Sequence, residues 1–340
     1  MCIRDRTGSF VRGEPEPMRA LSEAFLRDAA RYPGSPELVM GHRVVGMSRW
    51  YGGDYIGARE HLEHALASYD RERHRSLAFQ YGQDIGVPCM VFLALTLWPL
   101  GEIARARRLV EEAAAYAPST GYLATSAYAL VHTCLLELLS RDSDALLPHA
   151  ESLVAMSRDR GLPFWLAYGT FALGYARWQA GDREAGETGM RQGITMCREQ
   201  GICVQVPLFV ARQAEAEAEM GGVETALSMV DDALTMSERT GQHCYDAELH
   251  RVRGDVLVRA TQSDFDAAEA AFAHAIEIAR RQHTRSLELR AAMSMARLWR
   301  EQGKRDEARD LLAPVYGWFT EGFDTLDLKE AKALLGELGS

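Results

Sequence analysis

One arrangement of small, bulky and turn-forming positions recurs along the chain. A small residue is followed seven positions later by Gly, twelve later by a second small residue, sixteen later by a bulky apolar residue and nineteen later by another small or branched one. It is met at Gly46, Gly53, Ala58, Leu62 and Ala65, and again at Ala94, Gly101, Ala106, Val110 and Ala113. It returns at Gly174, Gly181, Gly186, Met190 and Gly193, at Ala214, Gly221, Ala226, Val230 and Ala233, and at Ala296, Gly303, Ala308, Leu312 and Val315. A sixth copy, Gly254 with Ala268, Phe272 and Ala275, carries two extra residues in its turn around positions 263–266. The small residues after the turn stand at 58, 106, 186, 226, 268 and 308, so the spacings are 48, 80, 40, 42 and 40. The gap of 80 holds a degenerate copy with Leu146, Ala150 and Leu153, whose turn at residues 140–144 lacks Gly.

Each copy reads as two helices joined by a tight turn. Small residues let antiparallel helices approach closely, and the bulky residue fills the groove beside them. The Gly ends the first helix in the left-handed conformation, which costs it little. Asp54, Glu102 and Asp182 follow such turns and place an anion at the next helix start. One hairpin cannot bury both faces, so neighbours must stack. The pattern predicts an all-α solenoid of tetratricopeptide-like hairpins with a period of about 40 residues, longer than the standard unit of about 34. Seven hairpins are expected between about residues 36 and 318, with a leading helix at 17–32. The division is residues 1–16 disordered, 17–322 solenoid and 323–340 a capping helix; Phe319, just before the cap, and Phe323, Leu328, Ala331 and Leu335 cover the open end. Residues 1–6 look like a translated adapter sequence, and the chain reads as a fragment whose leading helix exposes Leu21 and Phe25.

Trp50, Trp98 and Trp178 each stand four residues after a first small residue. An aromatic cofactor box would need such rings, but rings packed along successive first helices account for the spacing better. Residues 71–87 break the period. They are polar and aromatic, with Gly82 and Gly86 interrupting any long helix. His74, Arg75, Gln80, Tyr81, Gln83 and Asp84 make this either a partner- or anion-binding insertion or a structural loop that pins its neighbours.

Formal charge is −10 and the isoelectric point about 5.5, so no bulk field attracts nucleic acid or an anionic membrane. The six cysteines form no Cys-x-x-Cys pair, and no apolar run suggests a membrane span. Reduced thiols in a cytoplasmic protein follow. Only Lys304 follows a Gly, and Leu298 and Arg305 occupy the flanking positions a P-loop needs for Gly and Ser/Thr. His61 and His64 are three apart rather than four and flank the packing residue Leu62, so they are read as solvent-facing. Asp231-Asp232 has no second acidic pair at helical spacing. No catalytic residue, cofactor or metal ligand is expected.

Several stretches resemble the C-terminal tetratricopeptide region of bacterial multidomain regulators, adenylate/guanylate cyclase-like or transcriptional-regulator ATPases. They are His42-Arg-Val-Val-Gly46, His74-Arg-Ser-Leu-Ala-Phe-Gln-Tyr-Gly-Gln-Asp84, Gly161-Leu-Pro-Phe-Trp165, Ala247-Glu-Leu-His-Arg-Val-Arg-Gly254, Ser286-Leu-Glu-Leu-Arg290, and Gly317-Trp-Phe-Thr-Glu-Gly-Phe323 with Leu328-Lys-Glu-Ala-Lys-Ala-Leu-Leu335. The resemblance implies a sensor or scaffold for a protein or peptide partner, which includes upstream ATPase or cyclase domains of the same polypeptide. It supplies no catalytic residue here. In resembling solenoids the first helix of each hairpin lines the concave face. That places Arg43, Met47, Trp50 and Tyr51, then Tyr168, Phe171, Tyr175, Trp178 and Gln179, on an exposed recognition surface, continued by Glu248, Arg251, Asp255 and Arg259 and by Arg290, Arg297 and Arg300. The alternatives are an enzyme on an α/α toroid and a small-ligand-binding regulatory domain.

Overall fold

A computed structural model describes residues 15–260 and 265–339, and among them there is no strand. The readings of residues 1–14, including Cys2, and of the turn residues 261–264 lie outside the described residues. Helix α1 spans Pro15–Ala29. Hairpin 1 is α2 (Pro36–Tyr51) and α3 (Tyr55–Ala67). Two short turns, α4 (Arg71–His74) and α5 (Ala78–Tyr81), follow. Hairpin 2 is α6 (Val87–Leu100) with α7 (Ile103–Tyr116), hairpin 3 is α8 (Leu123–Ser140) with α9 (Ser143–Asp159), and hairpin 4 is α10 (Pro163–Gln179) with α11 (Arg183–Glu199). Hairpin 5 is α12 (Val206–Glu219) with α13 (Val223–Thr240), hairpin 6 is α14 (Asp246–Ala260) with α15 (Asp266–Arg281), and hairpin 7 is α16 (Arg285–Glu301) with α17 (Arg305–Gly317). Helix α18 (Leu326–Gly339) packs on hairpin 7.

The repeat works through direct contact. A Cβ on Gly46 would stand 2.7 Å from Leu62 Cγ, so the small position of α2 is where the bulky residue of α3 lands. In hairpin 4 a Cβ on Gly174 would meet the Met190 backbone N at 2.5 Å, and one on Gly186 the Trp178 backbone N at 2.5 Å. Backbone cannot step aside as a side chain can, so α10 and α11 lie against each other with nothing between. The turn glycines are left-handed, Gly101 at φ +93° and Gly181 at φ +95°. Hairpin 3 has no such Gly. Arg141 takes the left-handed place at φ 59°, which costs an L-residue about 1–2 kcal/mol. Asp54 and Asp182 cap α3 and α11, accepting from Gly57 N at 2.9 Å and Ala185 N at 3.4 Å. Glu102 does not cap α7. It pairs with Arg59 of the preceding hairpin at 2.7 Å.

The insertion is internal at His74, Ala78 and residues 84–87, while residues 71–73, Arg75, Phe79 and Gln80 are exposed. Asp84 is 1 % exposed. Its carboxylate accepts from Gly86 N and Val87 N, starting α6, and from Tyr69 Oη at 2.8 Å, while its own N–H donates to Thr125 of hairpin 3. One residue thereby ties hairpins 1, 2 and 3 where the period is broken, its carboxylate reaching Tyr69 and the start of α6 and its N–H reaching Thr125. Helix α1 packs on α2, with Leu26 against Gly41 and Phe25 half-buried near Val39 and Met40. In α18 it is Leu328, Ala331, Leu334 and Leu338 that are buried, while Phe323 stays exposed and Leu335 half-buried. One correction concerns α8. It is long and apolar enough, by length and composition, to cross a membrane, and most of it is buried against neighbouring helices.

The solenoid is wound tightly enough to meet itself. Tyr55 Oη donates to Cys244 O at 2.7 Å, and Gln205 Nε2 to Tyr51 Oη at 3.1 Å, so hairpin 1 touches the entrances to hairpins 5 and 6. Ser286 Oγ donates to Trp98 O at 2.8 Å, which joins hairpins 2 and 7. Beyond α17, Glu321 accepts from Ala104 N and Asp324 pairs with Arg107, both on α7. The 40-residue period sets neighbour contacts. These closing contacts lie 154 to 217 residues apart and belong to no period.

Candidate partner-binding cavity

The winding brings all the first helices to the inside, and the inside is finished in two ways. Around hairpins 1, 2 and 4 it is filled. Trp50 is fully buried and makes edge contacts with Tyr51, Tyr55, Phe92 and Tyr245 at centroid distances of 4.8 to 6.3 Å. Phe171 stacks on Phe209 at 4.1 Å, and Tyr168 Oη donates to Val204 O at 2.9 Å. The hydroxyls reach backbone acceptors, which makes burial of Tyr affordable. Met47, Trp50, Tyr51, Tyr168 and Phe171, expected on an exposed surface, are therefore core residues. The array returns on itself and covers them, and the aromatic ring is too large to leave in water once an opposite wall is in reach. His74 is likewise internal, 2 % exposed, with Nδ1 accepting from Asp70 N at 3.1 Å. Arg75 is exposed and reaches only Ser119 O at 3.4 Å. Arg43 is half-buried near Cys89 and Tyr128, and its Nε and Nη1 have no hydrogen-bond partner among the described residues.

Around hairpins 4 to 7 the inside stays open as a cavity of about 400 Å³. Tyr175, Trp178 and Gln179 of α10 form one wall. Arg212 and Glu215 of α12, Arg251, Asp255 and Arg259 of α14, and Arg290 and Arg297 of α16 supply the rest, with Arg141 from the strained turn of hairpin 3. Glu248, 1 % exposed, is the hub behind the wall. It accepts from Arg212 Nη1 at 2.9 Å and from Arg251 Nε and Nη2, both at 2.9 Å. Glu215 pairs with Arg212 at 2.8 Å and with Arg251. Asp327 of α18 accepts from Arg290 Nε at 2.8 Å and from Arg141 at 3.1 Å, and Glu330 takes Arg141 and Arg297 at 3.1 and 3.0 Å. Burial would raise the Glu248 carboxyl, but Arg251, Arg212 and Arg290 outweigh it and hold it well below the usual carboxylate range. Asp255 goes the other way, since burial outweighs its pairing with Arg251.

The structure thus gathers Tyr175, Trp178, Gln179, Glu248, Arg251, Asp255, Arg259, Arg290 and Arg297 of the expected surface, with Tyr175, Trp178, Glu248, Arg251 and Arg290 buried rather than exposed. Arg300 is outside the cavity, paired with Glu337. Arg141 and Arg212 were not expected. Arg212, Arg251 and Arg290 stand 39 residues apart in turn, close to the repeat period, and that spacing was a readable signal. Among the described residues no group of three His, Cys, Asp or Glu side chains is placed to hold a metal ion, and five cysteines are free thiols. Burial pushes the Cys89 and Cys197 thiols up to about 12.

Comparison with known proteins places the fold among tetratricopeptide-like helical repeats. A Rap protein crystallised with Competence and Sporulation Factor superposes with a TM-score of 0.63 and 13% identity, covering 96% of this chain and 83% of that one. The apo form of RapI gives a TM-score of 0.51 at 10% identity, covering 88% and 99%. An uncharacterised protein of Rhizobium meliloti (strain 1021) is 24% identical over 247 residues, which is 72% of this chain. The matched stretch spans 24% of that relative's length, about a quarter. No family model matches the chain.

Proposed function

We propose that this chain is a non-catalytic scaffold that holds a protein or peptide partner in its concave cavity. It serves as the C-terminal regulatory region of a larger cytoplasmic signalling ATPase or cyclase. The observation that carries the reading is the cavity itself: side chains from four successive first helices converge on one concave space, the arrangement by which solenoids present an extended surface to a ligand. The Rap protein that shares the fold was crystallised with a bound factor, which supports the kind of use. The Rhizobium relative is about four times as long as the matched stretch, which supports a place within a larger polypeptide. Sequence stretches resembling cyclase-like and regulator ATPases point to the same parent, whose own upstream domains are one candidate partner. A net charge of −10 argues against nucleic acid and anionic membrane.

The test is capture of partners with charge reversal at the cavity mouth, Arg259→Glu with Arg297→Glu, beside a control reversal on the outer helix α11, Arg191→Glu. The reading expects the mouth variant to lose its partner at least about tenfold while the control keeps it. Equal capture by both, or loss only in the control, places recognition elsewhere.

A further inference from the structure

Three histidines of hairpin 1 crowd the seam between its two helices. His42 of α2 turns Nδ1 toward Nδ1 of His61 on α3 at 3.1 Å, and the His42 ring lies 5.2 Å from the rings of both His61 and His64. His42 and His61 are half-buried, while His64 is exposed. The repeat sets their register. His42 stands four residues before Gly46, and His61 and His64 stand three and six after Ala58, so all three flank the small residues that bring the helices together. Hairpin 6 repeats two of the three. His250 and His274 hold the places of His42 and His64, and their rings meet edge to face at 4.4 Å, but Ala271 stands in the place of His61.

We propose that His42 and His61 chelate a divalent transition-metal ion of the zinc class, with His64 as the third ligand. Two nitrogens that bind one ion at about 2.0–2.1 Å, at an angle between the right angle and the tetrahedral one, stand about 2.8–3.4 Å apart. The distance of 3.1 Å lies in that range. The neutral pair shares one proton between its two Nδ1 atoms. Tautomerism moves that proton to Nε2 of its own ring and leaves both Nδ1 lone pairs for an ion. The three rings as they stand do not converge on one point, but His64 is at the surface and needs only a rotamer change to join the pair. Imidazole donors suit zinc, copper or nickel, and the site lacks the oxygen donors that magnesium or calcium require. Arg49, the cation beside His61, is paired with Asp54 at 2.6 Å, and Glu60 adjoins His61 in the chain. A bound ion ties α2 to α3 in the hairpin whose Tyr51 and Tyr55 close the winding, and so stabilises the closed form.

The experiment titrates the full, tag-free chain, first stripped with a chelator, with Zn²⁺ by calorimetry and with Co²⁺ by absorption. One Zn²⁺ per chain is expected, with a melting temperature that rises with Zn²⁺ concentration. The Co²⁺ spectrum is expected to show nitrogen and oxygen ligation without thiolate charge transfer, which separates this site from the free cysteines. His61→Gln is expected to weaken Zn²⁺ at least about tenfold, since even residues behind a ligand are worth that much. His64→Gln, a surface change, is expected to weaken it by a smaller factor. His274→Gln in hairpin 6 is expected to leave it unchanged. Each variant is compared at unchanged metal-free helicity and melting, and His42→Gln stands in where His61→Gln does not fold. Absence of saturable binding overturns the chelate and leaves the pair a hydrogen bond. A thiolate band overturns it as well, and so does affinity that His61→Gln and His42→Gln leave unchanged or that His274→Gln lowers as much. Weakening by His61→Gln with none by His64→Gln supports the chelate and overturns the third ligand.

Discussion

The inner faces of hairpins 1 and 2 with the first half of α10, and of hairpins 5 to 7 with the second half of α10, occupy the same side of one winding, yet one is a core and the other a cavity. Near Trp50 the opposing surfaces are rings, and rings meeting across a gap of ring size expel water and close it. Near Arg212 the opposing surfaces are guanidinium and carboxylate groups. Each must keep its partner, so the walls cannot collapse without stranding a charge. Ion pairs here act as spacers. The same repeat therefore yields a closed half and an open half.

Breaking the closed half should have the largest effect. Trp50→Ala removes a fully buried side chain that touches hairpins 1, 2 and 6, and a cost of about 3–5 kcal/mol is expected in urea unfolding. In the open half, Glu248→Ala leaves Arg212, Arg251 and Arg290 without their hub and should cost about 3 kcal/mol. Replacing the pair together, Arg212→Met with Glu248→Met, should cost far less, because no lone charge remains. If the single and double variants are equally destabilised, the network is not the coupled unit described here.

A smaller effect is set by pH and runs through both halves, since burial with His274 lowers His250 of hairpin 6 to about 4 as well. Burial, with His61 and His64 adding to it, lowers His42 to about 4. Burial alone lowers His132 to about 4. The unfolded chain takes up those protons first, so this stability is complete above about pH 6.5 and is lost as pH falls toward 4. His149 and His243 oppose it, since Glu137 and Asp246 raise them and their contribution is present at low pH. His42→Gln with His132→Gln should flatten the fall in melting temperature between pH 6.5 and 4. An unchanged slope would show that these histidines are protonated as easily in the folded state.

The period, the hairpins and the turn glycines were legible because each is a local consequence of small residues at helical spacing. The winding was not. Contacts such as Tyr55 to Cys244 join positions that no periodicity links, so the rings of Trp50 and Phe171 read as exposed when they are internal. Arg251, Arg290 and Arg297 were found by their register on the first helices. Arg212 was missed despite its 39-residue spacing because its register differs from theirs. Arg141 was missed because only a left-handed turn aims it inward.

The central claim is that recognition belongs to the open half alone. Hydrogen exchange with and without a retained peptide tests it most directly. The account predicts added protection in residues 175–179, 212–219, 251–259 and 290–301, with none in residues 42–51, where the rings leave no room. Protection concentrated in residues 42–51, in residues 71–81 or on the outer helices α11 and α13 would contradict it.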